Sequence, residues 1–153
     1  MDIAFRLAEL TDLPQLLEFT QGYYTFEGID YVEEVSTKAL CQLICSEHSG
    51  RIWLIFLEGR PVGYTALTFG FSLEVGGRDA FIDELFLIEA ARGKGIGTRV
   101  MDFMKAEAHA LGIKALHLEV GRNNERAQRL YKTVGFQGRQ NFFLMTCPTA
   151  STT

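Results

Sequence analysis

Apolar side chains recur along the chain at two spacings, and the switches between them predict the order of its elements. Ile3, Phe5 and Leu7 alternate with Ala4 and Arg6, which predicts a first strand. Thr11-Asp12 is a helix-start signal, with Leu13, Leu16, Leu17 and Thr20 following at helical spacing. A second helix is expected over about residues 34–47, with Leu40, Leu43 and Ile44 turned inward and Gly50 as its stop. Residues 51–57 and 61–73 read as a hairpin around the turn Glu58-Gly59-Arg60. After a turn at Gly76-Gly77, residues 80–88 are almost continuously apolar, broken only by Asp83 and Glu84, and suit a buried central strand. A helix from Gly93 to about Leu111 buries Val100, Phe103, Met104 and Ala108, and Gly112 ends it. Residues 115–120 form a short strand. Asn123-Asn124 caps a helix through Val134 that Gly135 ends, and residues 136–146 supply a closing strand.

The resulting order, β-α-α-β-β-β-α-β-α-β, implies an α/β protein with a mixed sheet and helices on both faces. Its 153 residues fit one domain, expected over residues 1–147, with residues 148–153 as a frayed polar tail. A hydrophobic content of 47% makes the chain globular rather than disordered. No apolar run approaches the roughly 20 residues needed to span a bilayer. The first six residues lack the basic-then-apolar layout of a signal peptide, which points to the cytoplasm and away from membranes. Cys41, Cys45 and Cys147 are odd in number and show no paired CxxC spacing, so neither a disulfide framework nor a structural metal is expected. Cys41 and Cys45 share a helix face and are expected to fill core space. The net charge of −4 carries no basic stripe, which argues against nucleic acid as a partner.

Candidate chemistry concentrates in Arg92-Gly93-Lys94-Gly95-Ile96-Gly97-Thr98, between a buried strand and a helix. Glycines let the backbone turn sharply and approach a ligand. The first helical turn carries unpaired N–H groups and the positive end of the helix dipole, a natural pyrophosphate site. Arg92 and Lys94 add formal positive charge.

Arg92-x-x-Gly95-x-Gly97 resembles the (Arg/Gln)-x-x-Gly-x-(Gly/Ala) signature of the GNAT superfamily of N-acetyltransferases. The preceding Asp83-Glu84-Leu85-Phe86-Leu87 is similar to that family's fourth strand. Asn124-x-x-Ala127-x-x-Leu130-Tyr131-Lys132-x-x-Gly135-Phe136 is similar to its Asn-x-x-Ala-x-x-Leu-Tyr…Gly-Phe element. Two motifs in the right order, separated by a helix and a strand, carry far more than either alone. The sequence departs from the pattern at Glu89, where many members have proline, and at Phe81, where some place a catalytic acid or tyrosine. The resemblance implies acetyl-CoA as co-substrate and an amine, in a small molecule or a peptide, as acceptor. It implies that the fourth and fifth strands splay, so that backbone N–H groups of Leu85, Phe86 and Leu87 hold the pantetheine arm, with Asn124 contacting the same arm. It also makes Tyr131 the general acid for the departing thiolate.

An alkyl ammonium with a pKa near ~10.4 must lose a proton before it attacks a thioester. In Leu116-His117-Leu118-Glu119-Val120 strict alternation sets His117 and Glu119 opposite the apolar residues. Glu119 precedes Asn124 by five residues and Tyr131 by twelve, the spacing of the base glutamate in the ribosomal-protein N-terminal acetyltransferases. A salt bridge to Arg122 is the alternative role. Glu84 is the second candidate base and Asp83 the third, since a bulge in that strand would change which acid faces the cleft. The acceptor side is expected in a loop over residues 23–35, with Tyr24, Glu27 and Tyr31 as contacts, because aromatics beside carboxylates suit an organic cation.

Two other readings compete. A nicotinamide-dependent oxidoreductase would use Gly93-x-Gly95-x-Gly97 as an imperfect dinucleotide fingerprint, its third glycine one residue early. A non-catalytic acetyl-CoA-binding module would keep the glycine turn without an acid or base. A homodimer is compatible with the sequence.

Overall fold

A computed structural model describes residues 1–150 of the chain; residues 151–153, half of the expected tail, lie outside the described residues. Strands β1 (Ile3–Leu7), β2 (Gly50–Leu57), β3 (Arg60–Ser72), β4 (Gly77–Leu87) and β5 (Ala115–His117) form one sheet in chain order. The first three pairings are antiparallel and β4–β5 is parallel. Helices α1 (Leu13–Glu27) and α2 (Glu33–Cys45) cover one face, α3 (Ile96–Ala110) and α4 (Glu125–Thr133) the other.

Alternation along the strands builds the two cores. On β2, Ile52 and Leu54 join Leu16, Phe19 and Leu40 under α1 and α2, while Trp53 and Ile55 join Val100, Met101 and Met104 under α3. The entry to α1 is fixed by a capping box between Glu9 and Asp12, and the Asp12 carboxylate also accepts two hydrogen bonds from Arg6, at 2.9 and 2.8 Å. Gly22 lets α1 lie close on the sheet, since a Cβ there would stand 2.8 Å from the Phe86 ring. Leu16 is wholly buried at the α1–sheet contact. Leu16→Ala is therefore expected to destabilise the fold by about 2–5 kcal/mol, read from the urea midpoint at constant m-value.

Four expectations change. Helix α1 continues two turns further than its start signal implied, so Tyr23, Tyr24 and Glu27 sit on its last turns and only residues 28–32 form a loop. Gly28 ends that helix at φ 70°, a left-handed cap that favours glycine. Gly50 opens β2 instead of stopping α2; any side chain there would strike the Leu67 carbonyl. Cys45 is exposed and Cys41 half-buried, because the inward stripe of α2 runs through Ser36, Leu40, Leu43 and Ile44. The fourth change is at the end of the chain. Residues 136–146 form no strand, and β5 stops after three residues, leaving little edge for them to pair with.

Candidate active site

The site begins where two strands part. β4 and β5 are paired at Asp79–Ala115, Ala80–Leu116 and Phe81–His117, and beyond that they separate. His117 closes the paired end through a 2.9 Å contact of Nε2 with Asp79 Oδ2. Because the strand stops there, alternation fails for the next residues: Leu118, Glu119 and Val120 all line the opening. Helix α4 lies across it, capped by Asn124, whose Oδ1 accepts the Ala127 N–H at 3.2 Å. The result is a cleft of about 330 Å³ that brings Glu119, Asn124 and Tyr131 together with Asp83 and Leu85 of β4 and with Tyr23 and Glu27 of α1.

Backbone direction on β4 sorts the three residues expected to hold a pantetheine. Ile88 N–H donates to Val62 O at 2.8 Å, and the Phe86 carbonyl faces Gly63 on β3, where a side chain would collide with it. Alternation then turns the backbone groups of Leu85 and Leu87 the other way, into the wedge. Phe86 is excluded from that role, since its backbone faces the β3 side and its ring is buried against Phe19 and Tyr64. Leu87 O accepts Arg92 Nε at 2.8 Å, and among the described residues no strand reaches the Leu85 N–H.

The turn into α3 has the form that anion binding asks for. Gly93 (φ 74°) and Gly95 (φ 78°) take left-handed conformations, and Gly95 caps α3 without any side-chain acceptor. Among the described residues, nothing accepts from the N–H groups of Ile96, Gly97 and Thr98 in the first turn. Ile96 is buried and anchors the turn, and Gly97 lets α3 meet α4, since a Cβ there would lie 3.1 Å from Leu130. Lys94 is exposed beside the turn. Arg92 differs from expectation: besides its bond to Leu87 O, its guanidinium lies 4.7 Å from the Phe26 ring centroid and 5.6 Å from that of Phe86. It ties α1, β4 and the turn together and does not project as a free cation. Arg126 of α4 takes that place, with Nη2 3.1 Å from where a Gly93 Cβ would be. No local signal in the chain points to this, because Arg126 belongs to a different motif.

A β-bulge decides the carboxylates. Ala66 pairs with Glu84 but Leu67 with Ile82, so Asp83 is the unpaired residue of β4. The bulge inverts the parity of the strand. Ala80 and Ile82 face α3, whereas Glu84 and Phe86 face α1 and α2. Glu84 therefore leaves the cleft for a separate cavity of about 100 Å³ beside Tyr24, where it accepts a 2.8 Å hydrogen bond from Tyr64 Oη. Burial pushes its carboxyl pKa up; the Tyr64 bond opposes that and the Asp83 charge adds to it. Asp83 borders both cavities, and although part of the residue is exposed, loss of surrounding water raises its carboxyl pKa too. Glu119 makes no ion pair among the described residues, so the pairing with Arg122 does not form.

Tyr131 is half-buried, with its ring 6.1 Å from that of Phe136, and burial followed by the charge of Glu27 raises its pKa. Of the expected acceptor contacts only Glu27 lines the cleft. Tyr24 turns to Glu84, burial and that charge pushing its phenol up to about 12, and Tyr31 packs edge-on against Tyr24 at 6.0 Å. Tyr23, one position away from Tyr24 on α1, takes its place in the cleft.

The acetyltransferase (GNAT) family profile matches residues 13–136. An uncharacterized N-acetyltransferase of Archaeoglobus fulgidus is 31% identical over 130 residues, covering 82% of this chain and 87% of that protein. Among solved structures, an integron cassette protein from the Cole Harbour Salt Marsh metagenome superposes with a TM-score of 0.84 at 31% identity, over 96% of this chain and 91% of that one. A predicted acetyltransferase from Clostridium acetobutylicum, solved with acetyl-CoA, superposes with a TM-score of 0.79 at 19% identity, over 95% and 96% of the two chains. The doubly wound parallel sheet to which the dinucleotide fingerprint belongs is absent among the described residues, where β4–β5 is the one parallel pair. Sequence motifs, sheet order and relatives agree: the chain belongs to the GNAT family and is an N-acetyltransferase.

Proposed function

We propose that the cleft transfers an acetyl group from acetyl-CoA to a primary amine by direct attack, with both substrates bound together. The observation that carries this reading is the convergence on one cavity of an inward-facing Leu85 backbone, Asn124 and Tyr131, while the N–H-lined start of α3 packs against α4, the helix that Asn124 caps and that carries Tyr131. The solved Clostridium acetobutylicum protein of the same fold was crystallised with acetyl-CoA, which supports the same ligand here.

In this reading the first turn of α3, with Lys94 and Arg126 beside it, holds the pyrophosphate. The Leu87 backbone and Asn124 hold the pantetheine arm. The Leu85 N–H polarises the acetyl carbonyl and stabilises the oxyanion that forms on attack. Glu119, on the opposite wall from β4, takes the proton from the ammonium, directly or through water. Tyr131 gives its phenolic proton to the departing thiolate, and its raised pKa keeps that proton in place at neutral pH. Glu27 and Tyr23 line the acceptor side, where a carboxylate beside an aromatic ring favours a cation. A second reading of the base is favoured by the bulge: Asp83 projects into the same cleft with a raised pKa, closer to the operating pH of a base.

Calorimetric titration with acetyl-CoA, paired with a screen of amine classes for coenzyme A release, tests the proposal. Saturable binding with amine-dependent release is the expected result; saturable binding with no release from any amine class would leave a binding module instead. Gly95→Val is expected to abolish binding. It forces a β-branched residue into the left-handed region, at a cost of about 1–2 kcal/mol, and places a side chain where the ligand must approach the backbone. Unchanged affinity in a folded Gly95→Val protein would move the cofactor elsewhere.

A further inference from the structure

Two neighbouring cavities of this chain repeat one recognition pattern. Helix α1 sends Tyr23 into the cleft and Tyr24 into the smaller cavity, with their ring centroids 5.8 Å apart. The bulge on β4 makes Asp83 a wall of both and turns Glu84 into the smaller one alone. Each cavity therefore sets a tyrosine beside a carboxylate, a combination that favours an organic cation. Among the described residues, no lysine, arginine or histidine lines either cavity. An acceptor with a carboxylate next to its amine would bring a further anion against Glu27, Asp83 and Glu119, with no cation to receive it.

The smaller cavity lies between α1, α2 and the sheet. There Glu84 accepts 2.8 Å from Tyr64 Oη, which occupies one of the roughly four acceptor positions of a carboxylate. Glu84 makes no ion pair among the described residues, and burial raises its pKa, the mark of an anion without a countercharge. Ser36 of α2, itself buried, adds a polar wall. The size is selective as well. A cavity of about 150 Å³ is what a benzene ring needs, so the 100 Å³ here admits an aminoalkyl arm and not a ring.

We propose that the acceptor is an aliphatic α,ω-diamine, which reacts through one amine in the cleft and is held by the other at Glu84. The inference rests on the acetyl-transfer reading of the cleft and specifies its substrate. The carbon chain passes Asp83, the residue that both cavities share. The reacting ammonium gives a proton to the base and attacks the thioester. A C–N bond forms, the C–S bond breaks, and the departing thiolate takes the Tyr131 proton. The product is a monoacetylated diamine whose remaining ammonium stays paired with Glu84. Glu84 meets no reacting atom, so it selects the substrate and takes no part in the bond changes.

Calorimetric titration with putrescine, butylamine and γ-aminobutyrate, with and without coenzyme A, tests this without relying on turnover. Butylamine keeps the carbon chain and lacks the second charge; γ-aminobutyrate puts a carboxylate in its place. Putrescine is expected to bind about 10- to 100-fold more tightly than butylamine, the scale of one charge-assisted hydrogen bond, and γ-aminobutyrate more weakly than either. Glu84→Gln keeps an oxygen that accepts from Tyr64 and removes the charge, so it should bring the putrescine-to-butylamine ratio near unity. Ser36→Val, which leaves Glu84 in place and narrows the cavity, should lower the same ratio. Equal affinity for putrescine and butylamine in the parent protein would overturn the inference. So would a preference for putrescine that survives in both variants. The expected preference without coenzyme A release from acetyl-CoA would support the diamine site and refute the catalytic reading. Release with another amine class and no putrescine binding would do the reverse.

Discussion

Tyr131→Phe is expected to lower turnover by a factor of about 10²–10⁴ while leaving acetyl-CoA affinity little changed. The substitution keeps the ring that packs on Phe136 and removes only the hydroxyl, so the fold should be untouched. Loss of the proton donor raises the barrier to thiolate departure without altering the contacts of the first turn of α3. The pH dependence follows in sign. An acid works only while protonated, and burial together with Glu27 holds the Tyr131 pKa above its ordinary value. Activity should therefore persist into the alkaline range and fall only above about pH 10, the ordinary phenol value. A folded Tyr131→Phe protein with near-normal turnover would end the assignment.

Glu119→Gln is expected to lose rate by a similar factor, about 10²–10⁴ at neutral pH, and to recover in part at high pH. There more of the amine is already neutral and less depends on the base. The same experiment on Asp83→Asn separates the two candidates. A base must be deprotonated, so raising its pKa moves the acid limb of the pH–rate profile to higher pH. If Asp83 were the base, that limb in the parent enzyme would lie above the usual carboxylate range, because loss of surrounding water lifts its pKa. Asp83→Asn would then abolish the limb. Under the Glu119 assignment the limb disappears in Glu119→Gln and survives in Asp83→Asn.

What could be read from the sequence was whatever a local motif encodes. The glycines of the turn, the capping role of Asn124 and the placement of Tyr131 on the same helix each depend on spacing within one segment, and the structure puts Asn124 and Tyr131 on one cleft and packs the turn against their helix. Features that depend on registry between segments were not legible. One unpaired residue at Asp83 turned Glu84 to the opposite face of the sheet, and periodicity carries no mark of a bulge. The length of α1 decided that Tyr23, not Tyr24, meets the cleft, because Gly22 and the polar residues around it obscured the helix beyond Thr20. Likewise β5 ended at His117 although the alternation ran on to Val120, since past that point no neighbouring strand was paired with it. Arg92 was expected as a phosphate cation from its motif, but two aromatic rings from other elements drew it inward.

Direct transfer with both substrates bound is the central claim, and steady-state kinetics reach it most directly. Cys41 is half-buried on α2, while Cys45 and Cys147 are exposed, and none of the three lines the cleft. No thiolate is therefore placed to carry an acetyl group between the substrates. Initial rates of coenzyme A release should be measured over a matrix of acetyl-CoA and amine concentrations, once an accepted amine is identified. The account predicts double-reciprocal lines that intersect, and the same pattern in a chain with all three cysteines changed to Ala. Parallel lines, with an acetylated enzyme trapped when the amine is withheld, would contradict it.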